Sequence, residues 1–430
     1  MPRRSQFVIG SRSLVGVIVL AASFCGSQVE AENWPEWRGA KLDGISHEAN
    51  LPTKFNKDEN LLWRLPLPGP AGATPVAWGD RIFLTAAEGE DLVLLCVSAD
   101  GKLLWSRKQG TGNRDVRGDE GNLASPSPST DGKHVWSYMG NGVLGCYDFD
   151  GNQIWQFNLQ DRYGEFDIQF GMASTPVLDG DRLYLQVMHT GAALVLALDK
   201  KTGDEIWKVT RESDATEECL HSYASPVIYR DGEREFLVTH GADYAVGHSL
   251  EDGHELWRCG GLNPKGNYNQ TLRLVASPVA VPGLIVIPSA KNGPVVGVRP
   301  TAKGDITEKP EYFAWVREHN TPDVPSPLVV DGLCYLCREN GTLICLDAET
   351  GVEQYSERAE SDRHRASPVF ADGKIYLTAR NGVITVVKPG RTFEILAQND
   401  LEESISASPV VAGGRLYFRT FDALWAVGQK

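Results

Sequence analysis

The stretch ASPVFADGKIYLTARNGVITVV, residues 366–387, decides how the chain folds. Ser367-Pro368 opens it and Val369 starts a short apolar run. Asp372-Gly373 makes a turn, and Lys374 to Thr378 alternates as a half-buried strand does. Asn381-Gly382 then separates two apolar runs, the strongest short-range hairpin signal. It points to a two-residue type I′ turn, because Asn and Gly tolerate the positive φ such a turn requires.

The opening phrase recurs along the whole chain. It reads ATPV at 73–76, ASPS at 124–127, STPV at 174–177, ASPV at 224–227 and 276–279, PSPL at 325–328, and ASPV at 366–369 and 407–410. The prolines Pro75, Pro126, Pro176, Pro226, Pro278, Pro327, Pro368 and Pro409 are spaced 51, 50, 50, 52, 49, 41 and 41 residues apart. Self-similarity at a fixed period of this size signals a repeat architecture. Second strands follow at Arg81–Thr85, Arg182–Gln186, Cys334–Cys337 and Arg415–Arg419, with further Asn-Gly turns at Asn141-Gly142 and Asn340-Gly341. Third strands such as Leu194–Asp199 and Leu343–Ala348 end in turns at Gly101, Gly151, Gly203, Gly253 and Gly351. Fourth strands carry a large aromatic: Trp105, Trp155, Trp207, Trp257, Trp315, Tyr355 and Phe393. Four short antiparallel strands per unit of about 40–50 residues make a propeller blade.

The count closes the ring. Eight Pro-marked openings precede seven aromatic strands, and one unmatched aromatic strand, Asn60 to Leu65 with Trp63, lies near the N-terminus. It is expected to complete the last blade and remove an open edge. The expected fold is therefore all-β, an eight-bladed propeller over residues 60–430, preceded by a lead segment at 32–59 and a signal peptide at 1–31. The aromatics, one per blade, read as packing between blades rather than as a stacking site.

Composition agrees with one repeated scaffold. Of 430 residues, 42% are hydrophobic and 44 are Gly, which suits many tight turns. Arg3, Arg4 and Arg12 precede an apolar run from Leu14 to Phe24, and Val29-Glu30-Ala31 offers a small-residue cleavage site, so export with cleavage after Ala31 is expected. Arg3-Arg4 leaves a twin-arginine route open, and Cys25 a lipid anchor, although Phe7 and Phe24 fit those patterns poorly. Eleven apolar residues are too few to span a bilayer, which needs about 20. Removing Arg3, Arg4, Arg12 and Glu30 leaves 39 basic and 55 acidic residues, a net charge of −16. That balance argues against a nucleic-acid backbone as partner. Of 8 cysteines, Cys25 falls in the signal, and the remaining seven cannot all pair. Cys334 and Cys337 lie on one expected strand, where residues three apart face opposite ways, so they read as buried small hydrophobes rather than ligands. Asp148-Phe149-Asp150-Gly151 lacks the rest of a calcium loop, and no Gly-rich phosphate loop, HExxH or G-x-S-x-G occurs.

The phrase A-S/T-P-V, the D-x-x-T-G turns at Asp199–Gly203 and Asp347–Gly351, and the Trp strand resemble the pyrroloquinoline-quinone (PQQ) repeat. The opening Trp34-Pro35-Glu36-Trp37-Arg38-Gly39 is similar to the lead-in of many exported proteins of this PQQ-like β-propeller family, which includes BamB-like proteins and quinoprotein dehydrogenases. The resemblance spans Trp34 to Gly428. For the dehydrogenases it implies PQQ with calcium and a vicinal cysteine pair. Here Cys219, Cys259, Cys334 and Cys337 form no such pair, and no Asp or Glu matches the general base or calcium ligands by a local motif.

Function is expected on the long loops from each fourth strand to the next blade: Ser106–Leu123, Gln156–Gly171, Lys208–Leu220 and Arg258–Leu274. Second strands end in His189, His240, Lys291, Arg338, Arg380 and Arg419, and His221, Arg273, Arg363, His364 and Arg365 stand just before the Ser-Pro phrases. Pointing inward, they would make a basic funnel in an acidic protein and attract anions. The plainer alternative is solvated residues beside turns, interleaved with Glu88, Asp243, Glu339, Asp323 and Asp422. The expected function is an exported, non-catalytic binding or scaffold propeller. Its partner would be a protein, an anionic small molecule or a glycan, held on the top-face funnel of His189, His221, His240, Arg273, Lys291, Arg338, Arg365, Arg380 and Arg419. The alternative is a PQQ-dependent oxidoreductase.

Overall fold

The computed structural model describes Met1, Pro2, Gln6 and residues 32–116 and 121–429. The signal-peptide reading, Cys25 included, thus falls almost wholly outside the described residues. The chain divides into two compact units, Met1–Glu30 and Ala31–Lys430, and the propeller occupies the second.

Eight antiparallel sheets form the blades. Blade 1 runs Val76–Trp78, Arg81–Glu88, Asp91–Ser98 and Leu103–Thr111, and blade 6 runs Leu328–Val330, Leu333–Cys337, Thr342–Asp347 and Glu353–Arg358. Blade 8 takes its first three strands from Val410–Ala412, Arg415–Arg419 and Ala423–Val427. Its outer strand is Leu61–Pro66, which pairs antiparallel with Ala423–Val427 through partners such as Arg64 and Trp425. The N-terminal strand therefore closes the ring, as the strand count requires. Blade 4 is larger than its phrase suggests, because Gly304–Asp305 adds a fifth, parallel strand beside Trp257 and Arg258.

Three local expectations are corrected. The Asn-Gly hairpins are not type I′. Met139 N donates to Val143 O at 2.8 Å, Gly142 N to Met139 O at 2.8 Å, and Gly142 alone of the pair is left-handed, at φ 94°. The loop is three residues with glycine in the bulge position, and Asn141 Oδ1 accepts from Val143 N at 3.3 Å. Positive φ at two successive positions appears instead at Ala242-Asp243 and Lys291-Asn292, and in the turns between first and second strands at Asp331-Gly332, Asp372-Gly373 and Gly413-Gly414. The proline that opens blade 2 is Pro128, not Pro126, since its first strand is Ser129–Thr130; the overlapping Ser-Pro phrases of residues 125–128 hid the offset. Phe393 precedes the outer strand of blade 7, Ile395–Asp400, because Lys388 N to Glu394 O at 3.0 Å closes a longer turn. Its ring packs on Tyr355, with centroids 5.5 Å apart.

The aromatic girdle joins neighbouring blades. Trp63, Trp105, Trp155, Trp207 and Trp315 lie over Gly101, Gly151, Gly203, Gly253 and Gly351 of the next blade, where an added Cβ would meet the ring at 2.6–3.0 Å. Each indole Nε1 donates to a carbonyl of that blade: Ala99, Phe149, Lys200, Leu250 and Ala348 respectively. The invariant turn glycine is thus a seat for an indole as well as a source of positive φ.

The lead segment runs under the innermost strands. Trp34 and Ala77 exchange backbone hydrogen bonds at 2.8 Å, Thr130 N donates to Pro35 O at 2.9 Å, and Ser46 N and Gly44 O pair with Phe370 at 2.9 Å. Glu36 Oε1 accepts from Leu178 N at 2.8 Å. Groups on the inner edges of blades 1, 2, 3 and 7 are satisfied in this way. Arg38, 1% exposed, donates to the carbonyls of Asp43 and Pro327 at 3.0 and 2.8 Å, and burial pulls its pKa down to about 10.

Candidate functional site

The recurring hydroxyl before each proline has one structural task. Thr74 N donates to Ser127 Oγ, Ser127 N to Thr175 Oγ1, Thr175 N to Ser225 Oγ, and Ser225 N to Ser277 Oγ, at 2.8–3.1 Å. Ser277 N then donates to Ser326 Oγ, Ser326 N to Ser367 Oγ, Ser367 N to Ser408 Oγ, and Ser408 N back to Thr74 Oγ1, at 2.9–3.1 Å. Eight blades are linked by a closed circle of eight equivalent hydrogen bonds. The proline that follows each hydroxyl fixes φ and lacks an N–H, so it leaves the start of the inner strand free of a competing donor.

All eight hydroxyl residues line a central cup of about 250 Å³, and each is less than 7% exposed. Trp37 of the lead segment also lines it, as do Phe170, Tyr223, Arg273, Lys291, Asp323 and Arg365 from the loops around the mouth. Phe170 and Tyr223 sit with ring centroids 6.0 Å apart. The Arg273 guanidinium lies 4.7 Å from the Phe170 ring, and its Nη1 is 2.9 Å from Glu218 Oε2. Lys291 is held left-handed, at φ 49°, a conformation uncommon for a side chain of this kind. Its N–H donates to Asp323 Oδ1 at 3.2 Å, and its Nζ reaches Thr271 Oγ1.

The nine sequence-nominated residues divide by place. Arg273, Lys291 and Arg365 come together on the cup wall. The other six lie outside that lining. His240 is fully buried with Nε2 2.8 Å from Pro288 O, and burial pulls its pKa down to about 3. His189 Nδ1 accepts from Gly191 N at 3.1 Å, and His221 Nε2 lies 3.0 Å from Thr190 Oγ1; burial lowers both pKa values. Arg419 reaches across to blade 1, donating to Thr85 O at 3.3 Å and to Gly69 O, and burial brings its pKa to about 9. The Arg380 guanidinium lies 4.1 Å from the Phe421 ring, and the Arg338 backbone N closes its turn on Thr342 O. Of the six strand-two ends Lys291 lines the cup and the other five do not, a division that a charge pattern alone does not resolve. Trp37 escaped sequence reasoning as a cup residue. The signal available for it was a Trp-rich lead of no evident strand character.

Among the described residues every cysteine is free and buried, Cys334 and Cys337 packing into different hydrophobic clusters on opposite strand faces. Burial pushes the Cys337 thiol up to about 12, away from thiolate chemistry. No helix among them is long and apolar enough to cross a membrane. Calcium takes 6–8 oxygen ligands. Among the described residues that line the cup the one carboxylate is Asp323, with Asn122 Oδ1 already accepting from Ala124 N at 2.9 Å, and no group of three or more His, Cys, Asp or Glu among the described residues is placed to hold a metal. The donor set of the described residues does not fit a calcium-bound quinone.

A family profile described as outer membrane protein assembly factor BamB matches residues 140–390, more than half of the chain. The chain belongs to this family of PQQ-like β-propellers. Among solved structures it is similar to BamB from Moraxella catarrhalis, at 14% identity and TM-score 0.63, covering 85% of this chain and 99% of that one. It is also similar to the quinohemoprotein alcohol dehydrogenase from Comamonas testosteroni (11%, TM-score 0.66, 93% and 81% covered) and to a europium-containing methanol dehydrogenase (12%, TM-score 0.69, 92% and 89% covered). At such identities the likeness is one of fold. No curated protein sequence matches.

Proposed function

We propose that the chain is an exported binding propeller whose central cup takes an anionic group, presented by a small molecule, a glycan or a protein partner, without turnover. The observation behind this reading is the convergence of Arg273, Lys291 and Arg365 on a concave wall of an otherwise acidic protein, where charges act more strongly than on open surface. The family description names an assembly factor, a role exercised by binding. Export draws support from Glu32. Its backbone N lies 2.7 Å from Glu48 Oε1, and its carboxylate accepts from Ser46 Oγ and His47 N. Cleavage after Ala31 would turn that nitrogen into an ammonium group already facing a carboxylate, and N-terminal sequencing of the mature protein would start at Glu32.

The test combines Lys291→Glu with Arg365→Glu and follows thermal unfolding in sulfate, phosphate and citrate. The wild type should gain stability with each anion at concentrations that leave the variant unmoved. An equal gain in both, or none in either, overturns the cup reading. Dye reduction after adding PQQ and calcium would overturn the non-catalytic reading.

A further inference from the structure

Resting on the reading of export with cleavage after Ala31, we infer that removal of the signal supplies the cation for a buried carboxylate and so locks the lead segment against the blade that closes the ring. The carboxylate is Glu48. It is 6% exposed, and among the described residues its side chain has one partner, the Glu32 backbone N at 2.7 Å. The cations of the adjoining strands are engaged elsewhere. Lys374 reaches the lead at Leu51 O but is held by Asp372 at 2.5 Å, and Arg415 of blade 8 donates to Ala99 O. Tyr417, two places along the same strand, feels the Glu48 charge, and burial pushes its pKa up. His47 is exposed, and its backbone N donates to Glu32 Oε2 at 2.9 Å.

An ionised carboxylate withdrawn from water is costly without a countercharge, and a peptide N–H offers it one proton and no charge. Hydrolysis changes that. Water adds across the Ala31–Glu32 peptide bond, its oxygen going to the Ala31 carbonyl carbon as the C–N bond breaks. The proton of the new Ala31 acid passes to the Glu32 amine, so the products are a carboxylate and an ammonium. The peptidase of export supplies the catalysis, and water supplies the atoms. The nitrogen already stands at hydrogen-bond distance from Glu48 Oε1. Once charged it makes a bond roughly twice as strong as a neutral one.

The position of the pair gives it leverage. Glu32 O accepts from Gly413 N of blade 8 at 3.3 Å, Asn33 Oδ1 accepts from Gly79 N of blade 1 at 2.8 Å, and Trp34 pairs with Ala77. Blade 8 is the one built from both ends of the propeller chain. At the other end of the lead loop Ser46 N bonds Phe370 O of blade 7, and its Oγ donates to Glu32 Oε2 at 2.7 Å. The ion pair thus fastens residue 32 to residue 48 around the segment that places Trp37 in the cup. A chain that keeps its signal is closed less firmly than the exported one.

The experiment compares a chain made to begin at Glu32 with one made to begin four residues earlier, at Gln28, each with and without Glu48→Gln, by denaturant unfolding between about pH 6 and pH 10. A free α-amino group titrates near ~7.7–8.0, and pairing with a carboxylate raises that value in the folded state. The added stability is therefore present in full below about pH 7.5 and is lost as pH rises through the raised value. At pH 7 the folding equilibrium constant of the Glu32 chain should exceed that of the Gln28 chain roughly tenfold, the factor that one unit of raised pKa supplies. The advantage should fade by about pH 10 and be absent with Glu48→Gln. Carbamylation of the Glu32 α-amine by cyanate should be roughly tenfold slower in the folded chain than in denaturant, because the same rise in pKa depletes the reactive free base. That measurement needs no variant and decides the matter even where Glu48→Gln does not fold. Equal constants at pH 7, an advantage that survives Glu48→Gln or persists unchanged to pH 10, or equal labelling of folded and unfolded chains overturns the inference and leaves the cleavage site standing. N-terminal sequencing of the exported protein that starts elsewhere than Glu32 overturns the cleavage reading and with it the role of the ammonium, whatever the unfolding curves show.

Discussion

Replacing Ser277 by Ala tests whether the hydroxyl ring holds the blades together. Ser277 Oγ accepts the Ser225 N–H at 2.8 Å, and the two residues are 3% and 5% exposed. The substitution removes the acceptor and leaves a buried backbone donor unmet, at a cost of about 1–3 kcal/mol. Unfolding entropy near 2.1 cal/mol/K per residue, over a unit of roughly 400 residues, makes that a fall of about 1–4 °C in melting temperature if the ring unfolds as one. Ser174→Ala is the matched control. Ser174 is 3% exposed, stands one residue before the ring position Thr175, and its Oγ is buried without a partner, so its loss should be neutral or slightly stabilising. Ser277→Thr keeps an oxygen of the kind already used at Thr74 and Thr175 and should stay close to wild type. Denaturant unfolding gives the energies, and amide exchange locates the effect, with protection at Ser225 falling first in the Ala variant. Equal stability of Ser277→Ala and Ser174→Ala, or unchanged protection at Ser225, would refute the reasoning.

Gly253→Ala should cost more than a surface glycine substitution, because φ is +78° there and the new Cβ would sit 2.6 Å from the Trp207 ring; a loss above about 2 kcal/mol by denaturant unfolding is expected, and a change within about 0.5 kcal/mol would contradict the seating of that indole. Acid should weaken the protein through buried histidines. Burial holds His240 near 3 and His248 near 4, whereas in the unfolded chain they titrate near ~6.5. Lowered folded pKa values mean that the unfolded state takes up protons first. The stability present above pH ~6.5 is then lost as pH falls, by about 2 kcal/mol per histidine between pH 7 and 5. His240→Gln/His248→Gln should flatten the stability profile over that interval, and an unchanged slope would count against it.

The repeat made the architecture readable from sequence. Period, turn glycines and one aromatic per unit gave eight blades, and the spare Trp63 strand gave the closure, because each of these is a local requirement of the blade. What stayed hidden depended on relations between units. The hydroxyl of the phrase was visible eight times, yet its partner is the N–H of the same phrase in the preceding blade, about 40–50 residues away, and no pattern within one unit specifies that bond. The same applies to the cations. Arg365 and Arg380 look alike beside their turns, but one lines the cup and the other stacks on Phe421. The direction of a strand end depends on how its blade packs against the next. Trp37 became a cup residue only because the lead segment threads beneath blades that follow it by hundreds of residues.

The ring and the lead segment also explain how an acidic protein can hold a cup lined by hydroxyls and three cations in one shape. Eight hydrogen bonds of nearly equal length fix the radius of the channel, and Trp34, Pro35, Gly44 and Ser46 tie the lead across strands of blades 1, 2 and 7. Sites on such a scaffold keep their geometry without a ligand, which lowers the ordering cost of binding. The consequence is that the ring serves two ends at once, since the residues whose oxygens accept a neighbour's N–H also line the cup. Ring substitutions should therefore change stability and ligand affinity together, whereas substitutions at Lys291 and Arg365, which stand outside the ring, should change affinity more than stability. Comparing Ser277→Ala with Lys291→Gln/Arg365→Gln in both assays separates the two contributions, and an affinity loss in the ring variant that exceeds its stability loss would identify the hydroxyl proton as a direct ligand contact.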